Sequence, residues 1–378
     1  MKIAIIGAGL NGLACALMLK RNGFDCQVFE RGSGPRDSGT GIYVWPQGVK
    51  VLRYLFGDDS FIRNGKAIEY LDTHDRDGKL VFSHPVRGPD RSLSDPAVMF
   101  PRSELFRLLL GQLGPDRVRY GMACTRLVHL DRQTHVTFND SIEETFDLVI
   151  GCDGVGSTVR SLISPNHGPY DTGLVASRGM VHFDSPLLTN DRCQIFSTSF
   201  ARVVTYPLAE GSRYRYWFAA YQHGNRMLLD REGLIDLFAD LPSDIWSMIA
   251  STPDQDILTH RMMALTGDGE WSKGRVVMLG DSIHAMLPTL GYGLTLGLEN
   301  GFALVQTLTG CKSENVDRAL ARYVSLAAER SKSILAVMKE ITGLYYFNDS
   351  TAVNPTRLMP IMNRFNSLAA LKVCEEVQ

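Results

Sequence analysis

The stretch MKIAIIGAGLNGLACALMLKRNGFDCQVFE, residues 1–30, decides the fold of this chain. A short apolar run with β-branched residues comes first, the turn GAGLNG follows at residues 7–12, and residues 13–19 have the apolar spacing of a buried helix. Residues 24–29 are typical of a second strand, and that strand ends on Glu30. The order of strand, glycine turn, helix, strand and acid predicts a βαβ unit that binds a dinucleotide.

The three glycines of this turn have separate physical roles in such a unit. Gly7 permits the tight turn, Gly9 lets the backbone approach a pyrophosphate, and Gly12 lets the helix pack closely on the strand. The helix N-terminus favours phosphates, and Glu30 stands where a carboxylate would accept hydrogen bonds from ribose hydroxyls. A turn that binds nothing would leave this acid unexplained. The motif alone does not choose between FAD and NAD(P), although Glu30 would repel a 2′-phosphate.

Composition places the chain among ordinary globular proteins. Its 378 residues suffice for two domains or one elaborate domain, with 44% hydrophobic and 21% charged residues. The formal net charge of −2 gives no field that would attract nucleic acid. We therefore expect small-molecule partners and no nucleic acid.

Cysteine usage and the N-terminus indicate the compartment. The seven cysteines are odd in number, form no C-x-x-C pair and several lie in apolar patterns, which favours reduced thiols over disulfides or a metal site. The apolar N-terminal run is short and ends in the glycine motif, so it is a poor signal peptide. No uninterrupted apolar stretch is long enough to span a membrane. These features predict a soluble, cytoplasmic protein.

Two further motifs follow predicted strands far along the chain. A mostly apolar strand at 146–150, expected to be central in a parallel sheet, runs into DGVGSTVR at 153–160. Another buried strand at 275–279 ends in GDSIHAMLP at 280–288. Between the two motifs, residues 173–266 hold alternating strand patterns, which predict a second, sheet-based region.

With these three motifs in this order, the chain resembles the FAD-dependent aromatic hydroxylases, the flavoprotein monooxygenases of the para-hydroxybenzoate hydroxylase type. The glycine turn with Glu30, the D-G-x-x-S-x-x-R pattern at 153–160 and the G-D-[AS]-x-H-x-x-x-P pattern at 280–288 carry the resemblance. The stretch YVWPQGV at 43–49 is most similar to the members that act on N-heterocycles and small aromatics. One departure is Glu299-Asn300, which stands where the family usually has Glu-Asp.

The resemblance implies an α/β fold in which a Rossmann-like FAD-binding domain of the glutathione-reductase type carries an inserted α+β substrate domain. We expect the substrate domain to be built on a mainly antiparallel sheet and to be followed by C-terminal helices. The predicted division is a first FAD-binding segment (1–72), a substrate-domain hairpin (73–97), a second FAD-binding segment (98–172), the substrate domain proper (173–266), a third FAD-binding segment (267–310) and C-terminal helices (311–378).

The resemblance also implies the activity. FAD is expected to be bound noncovalently, with NAD(P)H as the co-substrate that reduces it and O2 as the oxidant. In the family, a C4a-hydroperoxyflavin then hydroxylates a small aromatic or heterocyclic ring. The loop from Gly39 to Gly41 is a plausible hinge for flavin movement, and the protein is expected to be a monomer or a homodimer without a metal.

The resemblance and the motif physics together predict the cofactor site. The expected contacts are Gly7, Gly9, Leu10, Asn11, Gly12, Glu30, Arg31, Gly41, Arg102, Asp153, Gly154, Asp281, Pro288, Gly291, Gly293 and Leu294. Plainer alternatives remain for three parts of the set: Asp153 or Ser157 could simply cap a turn or helix, Arg160 could be a surface cation, and Arg102 could be a surface residue at a helix start.

Substrate residues are less strongly indicated. The candidates are Arg202, Tyr206, Tyr214, Tyr216 and Pro288, with His182 and Arg178 nearby. Alternation along strands can line one face of a pocket, but any half-buried sheet also alternates. No residue is assigned as a catalytic base. The resemblance implies that His284 is structural or lies near the flavin phosphates, and no acid–base role is expected for it.

Two other functions stay open from the sequence. A related flavoprotein could act as a dehydrogenase or reductase without inserting oxygen. A flavin-binding module could serve as a sensor without turnover.

Overall fold

The computed structural model describes residues 1–35, 40–86, 96–208, 214–222, 228–347 and 355–370. Gly39 of the predicted hinge lies outside the described residues. The strands of the described chain are β1 (Lys2–Ile6), β2 (Asp25–Glu30), β3 (Gly41–Val44), β4 (Lys66–Ile68), β5 (Tyr70–His74), β6 (Leu80–Pro85), β7 (Ala97–Pro101), β8 (Val118–Tyr120), β9 (Cys124–His129), β10 (Thr134–Phe138), β11 (Ile142–Phe146), β12 (Leu148–Gly151), β13 (Tyr170–His182), β14 (Arg192–Ser197), β15 (Ala201–Pro207), β16 (Tyr214–Gln222), β17 (Leu258–Ala264), β18 (Ser272–Lys273) and β19 (Val276–Met278).

Helices connect and cover these strands. Over the same described residues they are α1 (Leu10–Arg21), α2 (Pro46–Phe56), α3 (Arg102–Leu113), α4 (Thr158–Ile163), α5 (Arg231–Leu237), α6 (Ser243–Ala250), α7 (Asp281–His284), α8 (Gly293–Leu308), α9 (Val316–Tyr346) and α10 (Pro355–Ala370). Short 3₁₀ turns lie at Ser60–Asn64, Pro115–Arg117, Asp254–Asp256 and Ser313–Asn315.

The first sheet has six strands in the order β18-β19-β12-β1-β2-β8. β1 lies between β12 and β2, and both pairs are parallel. β12 in turn pairs in parallel with β19. Strands buried on both faces need continuous apolar runs, which is what β1 and β12 have. α1 packs against α3 and α8, so the opening βαβ unit stands at the centre of this domain.

The second sheet has seven strands in the order β17-β13-β16-β15-β14-β5-β6. Every pair is antiparallel except that of β14 with β5. Its two faces meet different layers. On β16, Trp217 packs with the core under α5 and α6, and its indole N–H donates to Thr252 Oγ1 at 2.8 Å. The neighbouring Tyr216 and Phe218 point to the opposite face.

Two smaller sheets complete the fold. β9, β10 and β11 form an antiparallel meander, and β3, β7 and β4 form a second three-stranded sheet. α9 lies between the two domains' cores, because its first half packs with the six-stranded sheet and its second half packs beside the seven-stranded sheet with α10. None of the helices in the described segments is long and apolar enough to cross a membrane.

The expected fold class is confirmed: an α/β domain of the Rossmann-like type carries a mainly antiparallel sheet domain and C-terminal helices. Strands predicted at 146–150 and 275–279 correspond to β12 and β19. The hairpin of β5 and β6 also forms. The numerical division into segments stays a prediction.

Candidate active site

The glycine turn has the close contacts that its spacing requires. Gly7 has φ +106°, and a side-chain carbon there would lie 2.5 Å from the Cys152 carbonyl oxygen. A carbon on Gly12 would lie 2.0 Å from the Gly7 carbonyl oxygen. At Gly9 no atom lies within 4 Å of such a carbon. Two glycines are therefore needed for packing, and the third leaves open space in front of α1.

Glu30 organises the rim of this space. Its Oε2 accepts a hydrogen bond from the Ala8 N–H at 3.0 Å, and its Oε1 accepts one from the Gly32 N–H at 2.9 Å. Both bonds fix the carboxylate beside the glycine turn. A cavity of about 240 Å³, here called the turn cavity, opens at this point and is lined by Gly7, Gly9, Glu30, Arg31, Arg102, Asp153, Gly154 and neighbouring residues.

The Asp153 carboxylate is turned toward the start of α4. It accepts hydrogen bonds from the N–H groups of Thr158 (2.8 Å) and Val159 (3.1 Å) and from the Ser157 hydroxyl. Burial raises the pKa of Asp153, and these hydrogen bonds act in the opposite direction. Ser157 itself accepts from the Arg160 N–H at 2.9 Å. The Asp153 carboxylate therefore caps the start of α4, which is the plainer of the two roles considered for it. Asp153 also lines the turn cavity.

Arg160 is a buried residue and not a surface cation. Its Nη1 donates to the Ser282 carbonyl at 2.8 Å, and its Nη2 donates to the Val155 carbonyl at 2.6 Å. The second and third sequence motifs are therefore joined through one guanidinium group.

A second cavity of about 540 Å³, here called the sheet cavity, adjoins the first. Gly9, Arg102, Cys152 and Gly154 line both. The predicted cofactor residues on its wall are Leu10, Asn11, Gly41, Arg102, Gly154, Asp281, Pro288, Gly291, Gly293 and Leu294. Among the predicted cofactor residues, Gly12 lines neither cavity and serves the packing of α1.

Asp281 and Arg102 are the opposite charges of this wall. Asp281 lines the sheet cavity. Burial of its carboxyl group raises its pKa, and the positive charge of Arg102 opposes this rise. Burial likewise lowers the pKa of Arg102, and Asp281 opposes that shift. Arg102 is thus partly buried at the start of α3 and faces a carboxylate.

The loop that follows the third motif is held by β3. Gly291 has φ +64°, and a side-chain carbon there would lie 3.0 Å from Tyr43 Cδ1. The Trp45 indole N–H donates to the Leu290 carbonyl at 2.8 Å, and its backbone N–H donates to Thr295 Oγ1 at 3.0 Å. α8 begins at Gly293, so its N-terminus points at this loop.

A buried ion pair supports the same loop from behind. Arg330 of α9 donates to Glu299 at 2.9 Å, and the Tyr292 hydroxyl donates to Glu299 at 3.0 Å. Asn300 donates to the Ser331 hydroxyl at 3.1 Å. The Glu299-Asn300 departure from the family pattern therefore connects α8 to α9.

The opposite wall of the sheet cavity is one face of the seven-stranded sheet. The side chains that line it from this sheet are Leu71, Arg178, Cys193, Ile195, Val204, Tyr206, Tyr216, Phe218 and Leu258. Tyr206 and Tyr216 are directly opposite each other on β15 and β16, with ring centroids 5.0 Å apart. A side-chain carbon on Gly41 would lie 2.7 Å from Tyr206 Oη and 2.7 Å from Tyr216 Cγ. β3 therefore closes the cavity against these two rings.

The structure brings only some predicted substrate residues to this cavity. Tyr206, Tyr216 and Pro288 line it. Arg202 is fully buried beyond its end, where Nη2 donates to the Thr289 carbonyl at 2.7 Å and the guanidinium lies 4.5 Å from the Tyr345 ring. Tyr214 packs against His182, with ring centroids 4.7 Å apart, and lines neither cavity. Cavity lining therefore does not support substrate roles for Arg202 and Tyr214.

Sequence reasoning missed several wall residues. Cys193, Ile195, Phe218 and Leu258 belong to strand patterns that give no sign of which face is covered. Alternation with Tyr216 would have selected Phe218 once the inward face was known. The positions of Cys193, Ile195 and Leu258 on this wall follow from the register between strands, which the sequence pattern does not give.

His284 lies in the core behind the third motif. The ring is fully buried, stacks near Trp271 at 6.1 Å and lines neither cavity. Burial lowers the pKa of His284 to about 4, so the ring is neutral at neutral pH.

The paired cavities fit FAD. The turn cavity combines open space at Gly9, an α-helix N-terminus and the Glu30 carboxylate, which suit a pyrophosphate and a ribose. Asn11 lines the adjoining sheet cavity, while its side-chain amide packs against Gly280 and Gly297. Asp281 offers a carboxylate acceptor in the same cavity, and Gly291 and Gly293 expose backbone on its wall. A flavin ribityl chain and ring would meet these groups.

Comparisons with known proteins agree with this geometry. The family model described as "FAD binding domain" matches residues 1–338. The chain is 30% identical over 341 residues to 3-amino-4-hydroxybenzoate 2-monooxygenase of Streptomyces cremeus, covering 88% of this chain and 85% of the relative. It is 29% identical over 355 residues to the FAD-dependent urate hydroxylase of Mycolicibacterium vanbaalenii, covering 89% and 86%.

A solved structure shows the same fold. Klebsiella pneumoniae HpxO complexed with FAD and uric acid superposes with a TM-score of 0.84 at 23% identity, covering 100% of this chain and 95% of the other. The chain therefore belongs to the FAD-binding-domain family of flavin-dependent monooxygenases, and FAD is its cofactor.

Proposed function

We propose that the protein uses NAD(P)H and O2 to hydroxylate a small aromatic or N-heterocyclic substrate in the sheet cavity. One observation carries this proposal: the turn cavity, which suits the adenosine diphosphate half of FAD, continues into a cavity walled by a separate sheet. Similar proteins are named for urate and for a hydroxybenzoate, which supports flat aromatic or heterocyclic substrates.

The residues around each part of the cofactor follow from the cavities. Gly7, Gly9 and α1 would hold the pyrophosphate, and Glu30 the adenosine ribose. Asp281 and Arg102 would hold the flavin side of the cofactor. When bound, FAD would accept hydride from NAD(P)H and activate O2 for oxygen transfer.

The sheet wall would orient the substrate and exclude water. Tyr206 and Tyr216 present neighbouring rings on which a flat substrate can pack. Burial raises the pKa of Tyr216 to about 12 and raises the pKa of Tyr206 well above its usual value. Both hydroxyls therefore keep their protons at neutral pH and do not act as bases, and the Tyr216 oxygen accepts a hydrogen bond from Arg178. No catalytic base is assigned to this wall.

Of the two glycines of the predicted hinge, only Gly41 belongs to the described residues. Gly41 already contacts the rings of Tyr206 and Tyr216. Movement of a flavin past this point would require β3 to part from the sheet. Gating by residues 39–41 stays a prediction.

Turnover tests the proposed function. Purified holoprotein should oxidise NADH or NADPH faster when an aromatic substrate is added, and mass spectrometry should show a product heavier by one oxygen atom. The same mixture without O2 should yield no hydroxylated product. Substrate turnover that proceeds without O2 would favour a dehydrogenase or reductase, and flavin binding without NAD(P)H oxidation across an aromatic panel would favour a non-catalytic module.

Location and assembly are the remaining parts of the proposal. The six cysteines in the described residues are free thiols, and five are buried. This supports a reducing compartment and hence the cytoplasm. We propose a monomer or a homodimer.

A further inference from the structure

The loop at residues 288–293 has two faces. Its inner face belongs to the sheet cavity, whose lining includes Pro288, Thr289, Leu290, Gly291 and Gly293. Tyr292 lines neither cavity, and its fully buried ring lies on the outer face of the loop. The position of the loop in the cavity therefore depends on what packs against Tyr292.

Phe365 of α10 packs against Tyr292 on this outer face. Its ring centroid lies 5.1 Å from that of Tyr292, with the planes at 87°, and 5.1 Å from that of Trp45, with the planes at 70°. The rings of Trp45 and Tyr292 in turn lie 5.9 Å apart, with the planes at 65°. All three pairs have the edge-to-face geometry that aromatic rings favour, and such pairs stabilise a core beyond the burial of their area. We call Trp45, Tyr292 and Phe365 the aromatic triad.

Trp45 connects the triad to the cavity. Its indole N–H donates to the Leu290 carbonyl at 2.8 Å. Its ring stacks on that of Tyr43 at 5.0 Å, and Tyr43 lines the sheet cavity beside Gly291. Phe365 therefore packs behind two walls of this cavity: β3, which carries Tyr43, and the loop, which carries Leu290 and Gly291. Removal of its ring would leave a void behind both.

The last turn of α10 is tied to the ion pair behind the loop. Arg330 Nε donates to the Leu368 carbonyl at 3.4 Å, while the same guanidinium binds Glu299 at 2.9 Å. Its Nη2 also lies 3.3 Å from the Tyr292 hydroxyl. α10 thus reaches Tyr292 by two routes, through the ring of Phe365 and through the backbone at Leu368.

α10 packs in the core beside the sheet cavity. Its buried residues lie on one helix face, at spacings of three and four residues, and are Leu358, Ile361, Met362, Phe365 and Ala369. All five belong to the core that also contains Tyr43, Trp45 and Tyr292. Within the described part of α10, no residue belongs to the core around the glycine turn or lines the turn cavity. A disturbance of α10 should therefore reach the sheet cavity and leave the turn cavity intact.

We propose that Phe365 is a positioning residue for FAD: docking of α10 and binding of the flavin half of FAD are coupled through the aromatic triad, whereas binding of the adenosine diphosphate half is not. The coupling is reciprocal, because a loop that is held in place binds the flavin more tightly, and a bound flavin holds the loop against Phe365. The proposal rests on FAD as the cofactor and not on the reaction that FAD supports.

Two probes that share the adenosine diphosphate group test the proposal. Apoprotein is titrated with FAD and with ADP by isothermal titration calorimetry. Phe365→Ala should raise the Kd of FAD at least about tenfold and leave the Kd of ADP within about twofold of the wild-type value. Phe365→Leu keeps an apolar side chain but loses the edge-to-face contacts, so its Kd for FAD should be intermediate. A merely structural role, in which the whole fold is weakened, would raise both dissociation constants together.

Met359→Ala is the matched control. Met359 lies on the same helix with 38% of its surface exposed and takes no part in the core beside the sheet cavity. Its truncation should leave both dissociation constants within about twofold of the wild-type values. Circular dichroism and thermal unfolding establish that each variant is folded.

Hydrogen exchange of the wild-type protein gives a second measurement. FAD should slow amide exchange in residues 361–369 at least about fivefold relative to apoprotein, because a docked helix opens less often. Exchange in α5 and α6 is the internal control, since these helices pack in a separate core on the opposite face of the seven-stranded sheet. Their exchange should change by less than about twofold.

Three results would overturn the proposal. They are equal effects of Phe365→Ala on FAD and ADP, an unchanged Kd of FAD in that variant, and exchange in α10 that FAD does not slow. If Phe365→Ala does not fold, or if ADP binds too weakly to be measured, Phe365→Leu and the exchange measurement decide. None of these measurements uses NAD(P)H or O2, so a failure of hydroxylation would leave the coupling standing.

Discussion

The glycine turn and the sheet wall form the two halves of one site, and they are specified in different ways. The turn draws its key contacts from residues 7–12 and Glu30, with Cys152 packed against it. The wall collects Arg178, Phe218 and Leu258 from strands far apart in the chain, and only their register brings them into one row. The glycine turn is therefore a mainly local structure, whereas the sheet wall is a product of long-range pairing.

The largest effect should come from the packing glycine of the turn. Gly12→Ala would place a carbon 2.0 Å from the Gly7 carbonyl oxygen, a contact with backbone that no rotamer can relieve. We expect a loss of stability above ~4 kcal/mol and little FAD-loaded protein. Gly9→Ala should instead leave the thermal stability of the apoprotein unchanged within about 1 °C while weakening FAD binding, because its carbon meets empty space where the pyrophosphate would lie.

Thermal unfolding of apoprotein and titration with FAD distinguish the two variants. Gly168→Ala is the control, since no atom lies within 4 Å of the added carbon. Equal destabilisation by Gly9→Ala and Gly12→Ala would show that the division of roles within the turn is wrong.

The next effect concerns the buried ion pair that connects α8 to α9 behind the loop at 288–293. Arg330→Met removes the partner of the buried Glu299 carboxylate, and breaking such a pair costs about 3–5 kcal/mol. Burial already raises the pKa of Glu299, and without Arg330 it should rise further. The destabilisation should therefore be greater at pH 8 than at pH 6, where the carboxyl is more readily protonated.

Urea unfolding at the two pH values measures this effect. The double variant Glu299→Leu/Arg330→Met should recover most of the lost stability, because no unpaired charge stays buried. A double variant as unstable as Arg330→Met would mean that packing of the arginine stem, and not the charge, is responsible.

Much of the fold and of the cofactor half could be predicted because its requirements are local. Gly7, which has φ +106°, and Glu30, which ends β2, belong to one pattern within the first thirty residues. Asp281 could be placed because it comes shortly after the recognisable buried strand β19, whereas Gly291 lies beyond α7 and could be placed only through the family resemblance. The role of the Asp153 carboxylate could not, since capping and ligand contact require the same residue type at the same strand end.

The substrate half could not be predicted in the same way. Arg202 shares the alternating face of Val204 and Tyr206, yet Thr289 and Tyr345 cover it beyond the end of the cavity. That cover comes from parts of the chain more than 80 residues away. Alternation indicates a face, but it does not say where along a strand the cavity ends.

A smaller effect tests the core behind the third motif. The pKa of His284 is about 4 in the folded protein, below its ordinary value of 6.5. The unfolded chain therefore takes up a proton below pH 6.5 that the folded protein does not, and stability falls as the pH drops from 6.5 toward 4. At pH 5 this amounts to about 2 kcal/mol.

His284→Gln should remove this part of the pH dependence. Urea unfolding of apoprotein at pH 7 and pH 5 would give a stability difference about 2 kcal/mol smaller in the variant than in wild type. An identical difference in both proteins would show that the imidazole is not held neutral by burial.

The smallest effect sharpens the boundary of the sheet wall. Tyr216 lines the cavity and shares a hydrogen bond with Arg178, whereas Tyr214, on the same strand face, packs with His182 outside it. Tyr216→Phe removes a hydroxyl from this wall, and the loss of one hydrogen bond to a bound aromatic probe such as salicylate, worth about 0.5–1.5 kcal/mol, should raise the Kd of the probe about two- to tenfold. Tyr214→Phe should change it by less than about twofold. Both variants are titrated with the probe and followed by the flavin spectrum. Equal effects would mean that Tyr214 also meets the ligand, and hence that the sheet wall extends beyond Tyr216 along β16.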